Sequence, residues 1–308
     1  MSSPRIGLAL GSGAARGWAH IGVLQGLEEI GVKPDVISGC SAGAIVAGAY
    51  AGGNLQKLAD WLVTLNRRTV LGFFDFSLLN GGVIAGERLF DFFRDHIGDS
   101  RIEDLPIPFT AIATELTSGR EVWLNSGSLL DSIRASISLP GMFTPCRLNN
   151  EWMIDGGLVN PIPVSACWAM KAELVLAVNV NAGMIKANFQ SDRETEEEET
   201  EEDDTSKTDQ EPEEDKKSGK WDFGFFKKFT SDNDTPGVFE VVNSSILIMQ
   251  ERITRSRLAG DPPDLLLMPR IGNIRLMEFH RAKEAIEEGR RCVEQSRQAI
   301  LDIIELYY

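Results

Sequence analysis

Histidine is scarce in this sequence: three in 308 residues, at His20, His96 and His280. They are too scattered along the chain to suggest a metal site, and neither a metal nor any other cofactor is expected. Cysteine is sparse too. Cys40, Cys146, Cys167 and Cys292 form no C-x-x-C pair, which suits a reducing cytosol better than a disulfide framework. No apolar run approaches the roughly 18 residues of a membrane-spanning helix. The N-terminus, MSSPRIGLAL, has no basic stretch ahead of a long apolar one, so a secretory leader is not expected. Basic residues are outnumbered, 31 Lys and Arg against 46 Asp and Glu. Of the net charge of −15, residues 192–217 carry −11, with fifteen acids against four bases, and the rest of the chain only −4. A mildly acidic remainder gives no reason to expect nucleic acid as a partner.

What is present is an alternation of strand and helix patterns. RIGLAL (5–10) reads as a buried strand, GSGAARG (11–17) as a glycine-rich turn, and residues 18–31 as a helix stopping at Gly31. DVISG (35–39) reads as a second strand, and a helix between two strands favours parallel pairing. Helices are predicted at 42–52, 54–66, 86–97, 128–138, 237–260 and 277–305. Strands are predicted in PFTAIATEL and REVWLN, joined as a hairpin through 117–119, and in EWMID, ELVLAVNVN and DLLLMP. The result is one α/β domain, residues 1–184 plus 236–308. An acidic insertion at 187–218 buries too little apolar surface to order itself, and an aromatic and basic segment connects at 219–235.

The sequence Gly39-Cys40-Ser41-Ala42-Gly43 follows the second strand and opens a stretch of alanine and glycine. G-x-S-x-G is a weak signal alone in a chain with 29 glycines. Its position between strand and helix is that of a nucleophile elbow, where Gly39 and Gly43 would let strand and helix nearly touch. A tight turn before a buried helix is the plain alternative. A Ser-His-Asp triad would need a late histidine, and only His280 qualifies, inside a helical pattern where a solvated or capping role is the default. An aspartate can serve as base if burial raises its pKa. Asp155 in MIDGGLV, followed by Gly156 and Gly157, offers one, although D-G-G is ordinarily a β-turn. Cys40 beside the serine reads as a small buried residue. The glycine-rich turn lacks the G-K-[ST] of a P-loop, and Arg16 stands where a dinucleotide fingerprint needs glycine. A loop of backbone donors for an oxyanion remains.

LALGSGAARGWAHIGVLQGLEEIG, DVISGCSAGAIVAGAYA, SIRASISLPGMFTP and MIDGGLVNPIPV together resemble the patatin-like phospholipase family, more closely its bacterial branch related to the catalytic domain of neuropathy target esterase. Order and spacing match over residues 5–181. The resemblance implies a three-layer α/β/α fold with a central, mostly parallel sheet, and a Ser-Asp dyad with Ser41 as nucleophile and Asp155 as base. Gly13 and Ala14 then align with the oxyanion donors, with Ser12 and Arg16 in support. Ser12 and Ala14 interrupt the family's glycine run. An alanine still donates its N–H, so the hole survives unless Ala14 requires positive φ. Arg16 would either steady an anionic headgroup or pair with a neighbouring acid. The implied function is a serine lipid acyl hydrolase cleaving carboxylic esters of phospholipids or lysophospholipids through an acyl-enzyme. A catalytically weak scaffold or regulatory protein, or a soluble carboxylesterase, is the alternative. The expected location is the cytoplasm, with peripheral contact at the inner membrane surface through Trp221, Phe225, Lys227 and Lys228, because interfacial aromatics and lysines suit anionic lipid.

Overall fold

The computed structural model describes residues 3–73, 87–182 and 238–307. Met1–Ala182 with Met249–Tyr308 form one unit and Gly183–Ile248 another. Everything below belongs to the first unit, apart from the opening turns of one helix. The acidic insertion and the segment with Trp221, Phe225, Lys227 and Lys228 lie outside the described residues.

Strand β1 (Ile6–Leu10) is apolar throughout because it is covered on both faces. It pairs in parallel with β2 (Val36–Cys40) on one edge and β7 (Leu174–Val178) on the other. Parallel pairing continues from β2 to β3 (Phe109–Glu115) and from β7 to β8 (Leu265–Leu267). The far side of the sheet is antiparallel, with β4 (Glu121–Leu124), β5 (Cys146–Leu148) and β6 (Glu151–Asp155). The order is β5-β6-β3-β2-β1-β7-β8, with β4 on β3 off this path.

Alternate residues of each strand enter opposite layers. Leu8, Leu10, Leu176 and Val178 join a large core with α1 (Ala19–Glu29), α2 (Ala42–Ala51) and α9 (Ala282–Glu305). Ala9, Val175 and Ala177 face Val164 and Cys167 of α7 (Val164–Ala169). Helices therefore cover both faces of a mostly parallel sheet, as the resemblance implied. The remaining helices are α3 (Leu55–Leu62), α4 (Arg67–Phe73), α5 (Glu87–Ile97), α6 (Leu129–Ser136) and α8 (Val238–Gly260). Among the described residues none is long and apolar enough to cross a membrane.

Several sequence expectations need correction. The predicted helix 54–66 ends at Leu62, and α4 follows as a separate helix. The last helix starts at Ala282, behind a 3-10 turn at Phe279–Arg281. The later part of the glycine-rich turn, with Trp18 of the predicted helix, is instead a 3-10 helix, Ala14–Trp18. Helix α7 and strand β5 carry no long periodic pattern and were not expected.

Candidate active site

The register of β3 determines where the site forms. At Ala111 and Ile112, β3 pairs with β2 and β4 at once; at Ala113 and Thr114 it pairs with β4 and β6. So β2 and β6 share one edge of β3. They run in opposite directions, and their C-terminal ends meet. Cys40, the last residue of β2, sits opposite Ile112, and Asp155, the last of β6, opposite Ala113. The first residue past β2 is Ser41. Two residues 114 positions apart are thus brought face to face by consecutive positions of a third strand.

Ser41 is half-buried and donates its hydroxyl to Asp155 Oδ2 at 2.6 Å. Its backbone lies at φ 54°, ψ −124°, a conformation costing about 1–3 kcal/mol for a residue with a Cβ. The turn holds because strand and helix close around it. A Cβ on Gly39 would strike the first turn of α2, and one on Gly43 would strike the carbonyl of Leu10. The end of α6 grips both members of the pair. Ser136 Oγ accepts the Ser41 N–H and the Ser138 carbonyl accepts the Asp155 N–H, each at 2.9 Å.

Asp155 is buried. Its Oδ1 accepts the Gly157 N–H at 2.7 Å, and its carbonyl accepts Thr114 Oγ1–H at 2.8 Å. A Cβ on Gly156 would collide with the Ile112 carbonyl, and one on Gly157 with Gln250 of α8. Burial raises the Asp155 pKa from 3.8 to about 6, opposed by the hydrogen bonds from Ser41 and Gly157. A carboxylate with that pKa, bonded to a serine hydroxyl, can take a proton near neutral pH.

The loop from Gly11 to Arg16 runs beside the first turn of α2, where the Gly11 carbonyl also approaches Gly43. The N–H groups of Gly11, Ser12, Ala15 and Arg16 donate to Val178, Pro161, Leu276 and Gly13 carbonyls. Those of Gly13 and Ala14 have no partner among the described residues. Ala14 does adopt positive φ, at 47°, the case that strains an alanine, yet the backbone holds there and leaves its N–H available. Arg16 departs from both sequence readings: it does not face solvent, and among the described residues no acid pairs with it. It is buried, donating from Nε to the Ile274 carbonyl at 2.7 Å and from Nη1 to Asn181 Oδ1 at 2.9 Å. Burial lowers its pKa to about 10. The buried Ser12 hydroxyl has no partner among the described residues.

No histidine is bonded to Ser41 or Asp155. His20 is buried on the Gly11 carbonyl, His96 bonds the Phe92 carbonyl, and His280 sits in the 3-10 turn before α9 beside Arg67. The Cys40 thiol is pushed well up by burial and, less, by the charges of Asp155 and Glu121, so it stays a neutral packing group. Sequence reading missed Ser136, Ser138, His20 and Asn181. Their partners lie far off in sequence or on the backbone, and only the quoted SIRASIS stretch hinted at the first two.

The family model described as patatin-like phospholipase matches residues 8–168, a span holding both Ser41 and Asp155. An uncharacterized NTE family protein of Mycobacterium bovis is 37% identical over 97% of this chain and 92% of its own length. Lysophospholipase NTE1 of Yarrowia lipolytica is 33% identical over 59% of this chain and 13% of its own. Lysophospholipase NTE1 of Saccharomyces cerevisiae is likewise 33% identical, over 59% of this chain and 11% of its own. The chain belongs to the patatin-like phospholipase family, a family of lipid ester hydrolases.

Proposed function

We propose that this protein hydrolyses the carboxylic ester of a phospholipid or lysophospholipid through an acyl-enzyme on Ser41. The 2.6 Å hydrogen bond from Ser41 Oγ to a buried Asp155 carries the reading. Ser41 Oγ attacks the ester carbonyl carbon while its proton passes to Asp155 Oδ2. The carbonyl oxygen becomes an oxyanion, received by the free N–H groups of Gly13 and Ala14 and by the positive end of α2. Collapse of the tetrahedral adduct breaks the bond to the alcohol, which leaves with the proton from Asp155. Water then attacks the acyl carbon, gives its proton to Asp155, and the fatty acid leaves as Ser41 regains its hydroxyl proton. Lysophospholipid as substrate is favoured by the Yarrowia and Saccharomyces relatives, both named as lysophospholipases. Trp221, Phe225, Lys227 and Lys228 would bring the enzyme to the lipid surface from the cytoplasmic side.

The test is a panel of phospholipids, lysophospholipids and short soluble esters, with Ser41→Ala and Asp155→Asn as controls. Each substitution should remove nearly all turnover, with the double variant little worse than either single one. A fluorophosphonate probe should label Ser41. Activity on soluble esters alone would favour a carboxylesterase, and no labelling at all a scaffold.

A further inference from the structure

A trans peptide is planar, with its carbonyl and N–H on opposite sides. Whatever grips a carbonyl therefore aims the next residue's N–H the other way. Residues 11–13 have all three carbonyls gripped. His20 Nε2–H donates to the Gly11 carbonyl at 2.7 Å, and across that peptide Ser12 N–H reaches the Pro161 carbonyl at 2.9 Å. Asn181 Nδ2–H donates to the Ser12 carbonyl at 2.9 Å; across that peptide is the free N–H of Gly13. The Arg16 N–H donates to the Gly13 carbonyl at 3.1 Å; across it is the free N–H of Ala14.

The first and third of these grips belong to α1 and to the loop's own 3-10 turn. The second comes from outside. Asn181 lies three residues past β7, and its amide has only one workable orientation. A guanidinium is all donor, so Arg16 Nη1, 2.9 Å away, must face Oδ1. That leaves Nδ2 for Ser12. Arg16 is held in turn by the Ile274 carbonyl, and the Asn181 N–H by Asn179 Oδ1 at 2.9 Å.

We propose that Asn181 is a positioning residue of the oxyanion hole: by holding the Ser12 carbonyl it aims the Gly13 N–H at the developing oxyanion. This rests on the reading of Ser41 as nucleophile and of the 11–16 loop as its oxyanion donor. Arg16 thereby acquires a role through Asn181, without touching substrate.

Asn181→Asp is nearly isosteric. It keeps an acceptor for Arg16 but sets a carboxylate oxygen against the Ser12 carbonyl. Asn181→Ser simply loses the reach. Both are assayed in the full chain on a p-nitrophenyl ester. A trifluoromethyl ketone with the same acyl chain, whose adduct with Ser41 places an oxyanion in the hole, is measured as inhibitor. The expected result is a fall in kcat of about tenfold or more, KM within about twofold, and a matching rise in the ketone's Ki, with cooperative thermal melting retained. Folded variants with kcat and Ki near wild type would overturn the proposal, as would a fall in kcat without the rise in Ki. A wild type that neither turns over esters nor labels at Ser41 would overturn the hydrolase reading itself, and this proposal with it.

Discussion

Asp155 serves two opposing ends. As the proposed base it must be ionised to take the Ser41 proton, yet it is buried where ionisation is costly, and its pKa rises from 3.8 to about 6. Hydrolysis of a soluble ester should fall toward acid pH with a midpoint near 6 in kcat/KM. The stability linkage has the opposite sense. An acid with a raised folded pKa binds more protons folded than unfolded between those values. The stability it confers is present at low pH and lost as pH rises through about 6, on the order of 3 kcal/mol in all. Asp155→Asn has no such titration. Its melting temperature relative to wild type should therefore climb between pH 5 and pH 8, and a constant difference would refute the buried-base account. Ala14 carries a second tension. At φ 47° it pays about 1 kcal/mol that glycine would not. Ala14→Gly should keep turnover within about twofold and melt no lower than wild type. Ala14→Val, branched at Cβ, should lose about tenfold or more in kcat.

Among the elements, α9 decides how α1 lies, and α1 continues directly from the loop proposed to hold the oxyanion. The two helices approach so closely that a Cβ on Gly289 would collide with the Ala19 carbonyl. Gly289→Ala should destabilise by about 1–3 kcal/mol, as overpacking against backbone does, read as a lower urea midpoint with unchanged slope. A neutral result would mean the helices part without cost. The hairpin β5–β6 shows how much of an element can be read locally. Asn149 and Asn150 both have positive φ, 49° and 70°, as a two-residue hairpin turn needs. The Asn-Asn pair was visible in the sequence, but a three-residue strand ahead of it was too short to register as a period.

At the scale of the molecule, charge is segregated: −11 of the −15 lies in residues 192–217 and the rest of the chain is near balance. Residues 220–229, KWDFGFFKKF, follow with five aromatics and three lysines. Proposed as the lipid contact, they predict co-sedimentation with anionic vesicles at low salt that weakens at high salt. Trp221→Ala with Phe225→Ala should reduce it without lowering the melting temperature. Equal sedimentation of wild type and the double variant would remove the segment from the membrane account.

The sequence by itself determined the β-α-β opening, the elbow at Ser41 and the candidacy of Asp155. Each depends on short-range rules: a buried strand is apolar, a tight turn needs small neighbours, and a helix repeats every few residues. Only the tertiary structure decided that Ser41 and Asp155 meet, because their approach depends on β2 and β6 ending at adjacent positions of β3. It also decided that Arg16 turns inward to Asn181, 165 residues away. A charged side chain looks the same in sequence whether it faces solvent or a buried carbonyl. What distinguishes the two is the set of partners that folding brings to it.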